Sequence, residues 1–363
     1  MINHNHLTNT FLELVRIDSP SGQEKAIRGD LSARLEALGL TVLHDPAGNL
    51  IAHMNGAGEK SSDTPLLLCC HMDTVGQDTN IRPVIKDGII SSDGSTILGS
   101  DDKSGIAIIL KVLEIMAQEG LPHPPLEVVL TVGEEVGLVG AKALDLDQFQ
   151  AQEGIVLDMG GPIGSIVVNA PYQDKLTVTV RGRAAHAGSE PEKGINAILV
   201  ASEAITAMPL GRIDEESTAN VGVIRGGVAT NIVPDKVELE CEARSRDEAK
   251  LIAQMQAMKT ALEEAAARHK TTVDLVQERS YDGFTLPAET PIVKRAAAAA
   301  EALGLEPRLI PTGGGSDANI LNAGGIATIN ISTGMTNVHT VNEHIAIADM
   351  AQSAELLLQI LTR

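Results

Sequence analysis

At 363 residues the chain is longer than one core usually organises, so two domains are expected, and 43% hydrophobic with 21% charged residues marks a globular chain. A net charge of −20 and the absence of tryptophan set it against phosphate backbones and stacked bases, which excludes nucleic acid as a partner. Three cysteines, two of them adjacent, exclude a disulfide framework; no apolar run is long enough for a membrane, and no export signal opens the chain, so a cytoplasmic location without a membrane partner is expected.

In chain order, "TNTFLELVRID" has helical spacing and is broken at Pro20 and Gly22. Ser21 and Glu24 are spaced as a capping box for a helix through "AIRGDLSARLEALG". "TVLHD" and "LIAHM" read as short strands, "TPLLLCCH" as a continuous apolar strand, and "IRPVIKDGIISSDG" as a hairpin about Asp87-Gly88. A buried helix, "SGIAIILKVLEIMAQEG", and another apolar strand, "PLEVVLTVGEE", follow. Such alternation predicts a mainly parallel sheet covered on both faces.

After Pro171 the pattern changes to strands with one wet face. "DKLTVTVRGRA", a helix, two alternating strands, a long helix and "TVDLVQER" give the order β-α-β-β-α-β, the ferredoxin-like split unit. Helix–strand alternation resumes near Pro287. The expectation is an α/β domain over 1–172 and 284–363, interrupted by an α+β domain over 173–283.

Five clusters carry chemistry. His71 and Asp73, at the end of "LLLCCHMD", project the same way, with Asp73 placed to orient the imidazole; Cys69 and Cys70 read as small hydrophobes. Asp101 and Asp102 stand between glycines at a helix entrance, Glu134 and Glu135 at a strand end, Asp158 at another strand end, and His339 in a loop before the last helix. Taken singly, His71 reads equally as a polar strand end, the Glu pair reads rather as a solvated acidic loop and Asp158 and His339 as turn residues, while two adjacent acids at 101 and 102 are more than a helix cap needs. Together they supply five ligands, His, Asp, Glu, Asp and His, the inventory two divalent ions sharing one carboxylate require, with one Glu left over as a base.

The ordered set "HMDTV", "GSDDKSG", "GEEVGLVGAK", "LDMGG", "RAAHAGSEPEKGINAI", "ATNIVPD" and "NVHTVNEHI" resembles the M20 family of metallopeptidases, nearest its peptidase T branch. The resemblance implies a two-zinc exopeptidase for short peptides, with cobalt or manganese as substitutes in vitro, and a lid that also serves as the dimerisation domain. It places His71 and Asp158 on one zinc, Glu135 and His339 on the other, and Asp101 between them, with a cis peptide after Asp101. Asp73 orients His71, and Glu134 is the general base for a hydroxide shared by the two ions. His186 is the lid's oxyanion donor, in its own or a neighbouring subunit, and Asn231 with Arg244 holds the substrate carboxylate. Without the resemblance, His186 reads as a surface-loop histidine and Arg244 as half of an ion pair on an exposed strand. "TGGGSDAN" lacks the ending of a phosphate loop and is read, by resemblance, as lining the substrate site. An N-acyl amino acid deacylase or carboxypeptidase of the same family, and a non-catalytic peptide- or metal-binding homologue, are the alternatives.

Overall fold

The computed structural model describes residues 2–363, and the chain divides into two compact units. The first comprises 2–168, 285–311 and 316–363, and the second 169–284 with 312–315. The Thr312–Gly315 stretch therefore groups with the inserted unit rather than with the flanking segments, where the sequence reading had put it.

In the first unit, four parallel strands form the middle of the central sheet, in the order Leu126–Thr131, Leu66–His71, Glu153–Met159 and Ala327–Ser332. Antiparallel Leu50–Met54 and Thr41–His44 extend one side, and Ser165–Ala170 the other. The strands Leu66–His71 and Leu126–Thr131 are buried along their whole length, as their apolar runs predict, with Glu127 buried among the latter and accepting from Gln150 N and Ala151 N. The helix Ser100–Glu119 is buried on nearly every side and packs against this sheet. Its approach depends on Gly105: a Cβ there would lie 2.4 Å from Leu157 O and 2.6 Å from Cys70 Sγ. The hairpin about Asp87-Gly88 forms as expected, both residues taking positive φ, and joins a small separate sheet with Met335–Thr336 and His344–Ala346.

The second unit is an antiparallel sheet in the order Gly211–Arg212, Ser217–Gly226, Lys236–Ser245, Tyr172–Arg181, Val273–Tyr281. Helices Ala197–Ala207 and Glu248–Arg268 bury Val200, Ala204, Leu251, Met255 and Leu262 against Leu176, Val178, Val237 and Leu239. This is the split β-α-β-β-α-β unit, with its other sheet face left polar.

One local expectation fails. The helix Lys25–Ala37 has Glu24 at its N-cap and no side-chain capping bond. Ser21 Oγ instead donates to Asp73 Oδ2 at 2.7 Å, and Glu24 Oε1 accepts from Gly22 N and Gly133 N at 2.8 and 3.1 Å. A capping box would pair the two side chains with each other's backbone; here Ser21 is spent on Asp73, and Glu24 is shared between the adjacent Gly22 and the distant Gly133. Asp101–Asp102 is a cis peptide.

Candidate metal centre

Parallel strands deliver their carboxyl ends to one edge of a sheet, and loops leaving that edge converge. His71 is the last residue of its strand, Asp158 the last but one of the neighbouring strand, and Glu134 and Glu135 leave the end of Leu126–Thr131. Consecutive side chains of a strand point apart, so the Glu pair needs its backbone turned. Four successive N–H groups show how this is done. Val132 donates to Asn49 Oδ1 at 3.0 Å, Gly133 to Glu24, Glu134 to Asp73 Oδ1 at 3.0 Å and Glu135 to Asp73 Oδ2 at 3.2 Å. Gly140 closes the same loop where no Cβ fits, 2.2 Å from Asn49 Oδ1. Asp158 is set by a reciprocal pair with Asn330, each backbone–amide bond 2.9 Å, beside an irregularity in the register with Ala327–Ser332.

His71, Asp101, Glu135, Asp158 and His339 come together in one centre. His71 Nε2 lies 2.9 Å from Asp101 Oδ1 and 3.9 Å from Asp158 Oδ1. His339 Nε2 lies 3.0 Å from Asp101 Oδ2 and 3.0 Å from Glu135 Oε1. Asp101 thus offers one oxygen to each imidazole. The far side of His71 is fixed by Nδ1, 2.9 Å from the backbone oxygen of Asp73 and 3.4 Å from its carboxylate, so Asp73 orients the ring through both groups. His71 Nδ1 and the Glu134–Glu135 amides therefore share one anchor.

The charges are unbalanced. Burial, and then the Asp101 carboxylate, push Asp158 well above the usual carboxyl range; burial, Asp317 and Glu135 do the same to Glu134. Burial would raise Asp101 too, but hydrogen bonds from His339 and His71 hold it low. His339, paired with Asp101 and Glu135, is raised to about 10. Glu135 Oε1 is buried without a hydrogen bond of proper geometry, despite its 3.0 Å approach to His339. So many buried carboxylates with an orphaned oxygen and only imidazoles to offset them are a donor set suited to divalent cations. Ligand atoms of His71, Asp101 and Glu135, and likewise of His71, Asp102 and Asp158, all lie within 4.8 Å of one another.

Three further carboxylates take roles that the sequence reading did not give them. Glu24 braces Gly133, Asp102 Oδ2 accepts from His71 N at 3.3 Å, and buried Asp317 accepts from Thr131 Oγ1 at 2.5 Å and Cys69 Sγ at 3.6 Å. The signal for Asp317 was a single acid in a glycine-rich stretch with no apolar period to explain it.

The remaining predicted residues belong to the second unit. His186 Nδ1 accepts from Gly188 N and Ser189 N, both at 3.1 Å. An Nδ1 engaged as acceptor leaves the ring proton on Nε2, as an outward donor. Asn231 O accepts from Ala187 N, placing the two beside each other. Arg244 grips a carboxylate with Nε and Nη2, both at 3.1 Å, and that carboxylate is Glu242 of its own strand.

A model of peptidase family M20/M25/M40 matches residues 67–363. A Bacillus subtilis protein, YqjE, described as uncharacterized, is 43% identical over 99% of both chains. Among solved structures, aminopeptidase PepT from Bacillus cereus superposes with a TM-score of 0.89 at 42% identity, covering 99% of this chain and 98% of its own. A Staphylococcus aureus tripeptidase superposes at 0.94 and 41% identity, covering 100% and 98%. Among the described residues, no helix is long and apolar enough to cross a membrane.

Proposed function

The chain belongs to peptidase family M20/M25/M40, and from that premise we propose that it is a two-zinc exopeptidase that removes the amino-terminal residue of short peptides, tripeptides above all. One observation carries the reading: Asp101 presents Oδ1 to His71 and Oδ2 to His339, so a single carboxylate would be available to two cations. The aminopeptidase and the tripeptidase, each above 40% identity over nearly the whole chain, support the substrate class.

His71, Asp158 and Asp101 would hold one ion, and Glu135, His339 and Asp101 the other; imidazole with carboxylate suits zinc, with cobalt or manganese as substitutes. When bound, such ions lower the pKa of an attacking water and polarise the scissile carbonyl. Glu134 is the leftover acid. Its backbone N–H is pinned by Asp73, and burial raises its affinity for a proton. It therefore takes the proton that the attacking water loses and delivers it to the nitrogen of the departing amine. His186, with Nδ1 occupied, offers Nε2–H to the oxyanion that forms at the carbonyl. Arg244 and Asn231 take the substrate carboxylate, for which Arg244 exchanges Glu242. A cytoplasmic location and pairing of two chains through the second unit complete the proposal; light scattering in solution reads the pairing.

A panel of tripeptides with free and N-acetylated amino ends, assayed on zinc-loaded protein, tests the reading. Turnover of the free peptides alone is expected. Turnover confined to the blocked ones would move the assignment to a deacylase or carboxypeptidase, and none at all would leave a peptide- or metal-binding protein.

A further inference from the structure

We propose that Glu343 is the positioning residue of the second cation position, a strut joining the loop that presents Asp101 to the turn that presents His339; this rests on the two-cation reading above. Glu343 is 1% exposed. Its Oε1 accepts from Ser100 N and Ser100 Oγ, both at 2.6 Å, and from Asp101 N at 3.2 Å. Its Oε2 accepts from Leu98 N at 2.8 Å and Gly99 N at 2.9 Å. Five donors saturate both oxygens, so this carboxylate is itself no ligand. It is a fixed anion around which the 98–101 backbone is wrapped, and charge-assisted bonds of this kind are the strong ones.

The other end of the strut is the turn of His339. Thr340 Oγ1 donates to Asn337 O at 2.7 Å, Asn342 N to Thr340 Oγ1 at 3.2 Å, and Glu343 N to Thr340 O at 3.1 Å. Asn337 and His339 both have positive φ, 55° and 64°. The His339 side chain is 48% exposed, and among the described residues Nε2 pairs with Asp101 and Glu135 alone. Packing does little to hold this ring, so its place depends on its turn, and the turn is held to the Asp101 loop by Glu343.

The other ligands have separate supports. His71 is fixed by Asp73 and Asp102, Asp158 by Asn330, and Glu135 by Asp73. Asp101 is common to both positions, so removing the strut touches both, but only the position built from His339 has a second ligand held by it, and that position should loosen more than the one built from His71 and Asp158.

The experiment is zinc titration of metal-depleted protein against a competing chromophoric chelator, for the wild type, Glu343→Gln and Ser100→Ala. Ser100→Ala removes one donor to Oε1 and leaves the carboxylate in place, so it reports even if the Gln variant does not fold; thermal melts of the metal-free proteins show whether it does. The wild type should take up two equivalents. Glu343→Gln should weaken one equivalent about 10–100-fold and the other by a clearly smaller factor. Ser100→Ala should act in the same direction with a smaller factor. Equal weakening of both equivalents, or unchanged binding in both variants, would overturn the proposal. A wild type that binds one equivalent or none would overturn the two-cation reading itself, and this proposal with it.

Discussion

The polar groups of the two units are organised in opposite ways. At the carboxyl edge of the first unit's sheet, buried carboxylates are anchored to backbone N–H groups: Asp73 by Glu134 and Glu135, Glu343 by four successive amides from Leu98 to Asp101. The wet face of the second unit carries side-chain pairs such as Arg225–Glu240 and Arg181–Asp274, each partner more than half exposed. A buried anchor fixes main chain, and an unmet donor there costs its full desolvation; an exposed pair trades water for water and side-chain freedom for a weak attraction. Position is enforced in one region and left loose in the other. Side-chain chemistry that requires fixed distances belongs to the first kind of surface.

The largest effect that would sharpen this contrast is Glu134→Gln, which should lower kcat about 10²–10⁴-fold while zinc content stays that of the wild type; turnover near wild-type rates would remove Glu134 from the reaction. Next comes Asp73→Asn. One substitution there disturbs Ser21, His71 and two amides, and zinc affinity should fall about 10–100-fold, read by chelator competition. Unaltered affinity would show that the anchor is dispensable. Gly105→Ala, which crowds Leu157 O and Cys70 beneath the centre, should cost about 1–3 kcal/mol in urea unfolding.

A smaller and more diagnostic effect concerns protons. His339 is raised to about 10 by Asp101 and Glu135, so without metal it is charged at neutral pH. As an imidazolium it contributes stability that is complete below about 6.5 and is lost as pH rises through about 10. A cation must displace that proton, so metal uptake at pH 7–8 should release protons and tighten as pH rises. Calorimetry in buffers of different ionisation enthalpy reads the release directly; heats independent of buffer would contradict the pairing. Smallest of all, Arg225→Ala on the second unit's exposed face should leave the urea midpoint unchanged within error.

Much of this molecule was legible in advance. Unbroken apolar runs such as "TPLLLCCH" announced strands covered on both faces, and alternation in "DKLTVTVRGRA" announced strands covered on one; each is a local consequence of side-chain period against a water boundary. That His71, Asp101, Glu135, Asp158 and His339 would gather was legible less from any one of them, each of which reads singly as a turn, cap or strand-end residue, than from their joint recurrence in one sheet domain. Ser21 and Glu24 were misread for the opposite reason. Their spacing satisfies a local capping rule, and nothing in the spacing says that Asp73 and Gly133 will lie closer than the helix amides.

The sequence by itself determined the elements, the split unit and the ligand types, since those follow from periodicity and from the chemistry of individual side chains. Only the tertiary structure decided which oxygen of Asp101 meets which histidine, that Asp73 serves four groups at once, and that Glu343 accepts five hydrogen bonds from the 98–101 segment. The reason is that a carboxylate has the same composition in every role. What it does is set by which donors reach it first, and those donors lie up to 248 residues away in the chain.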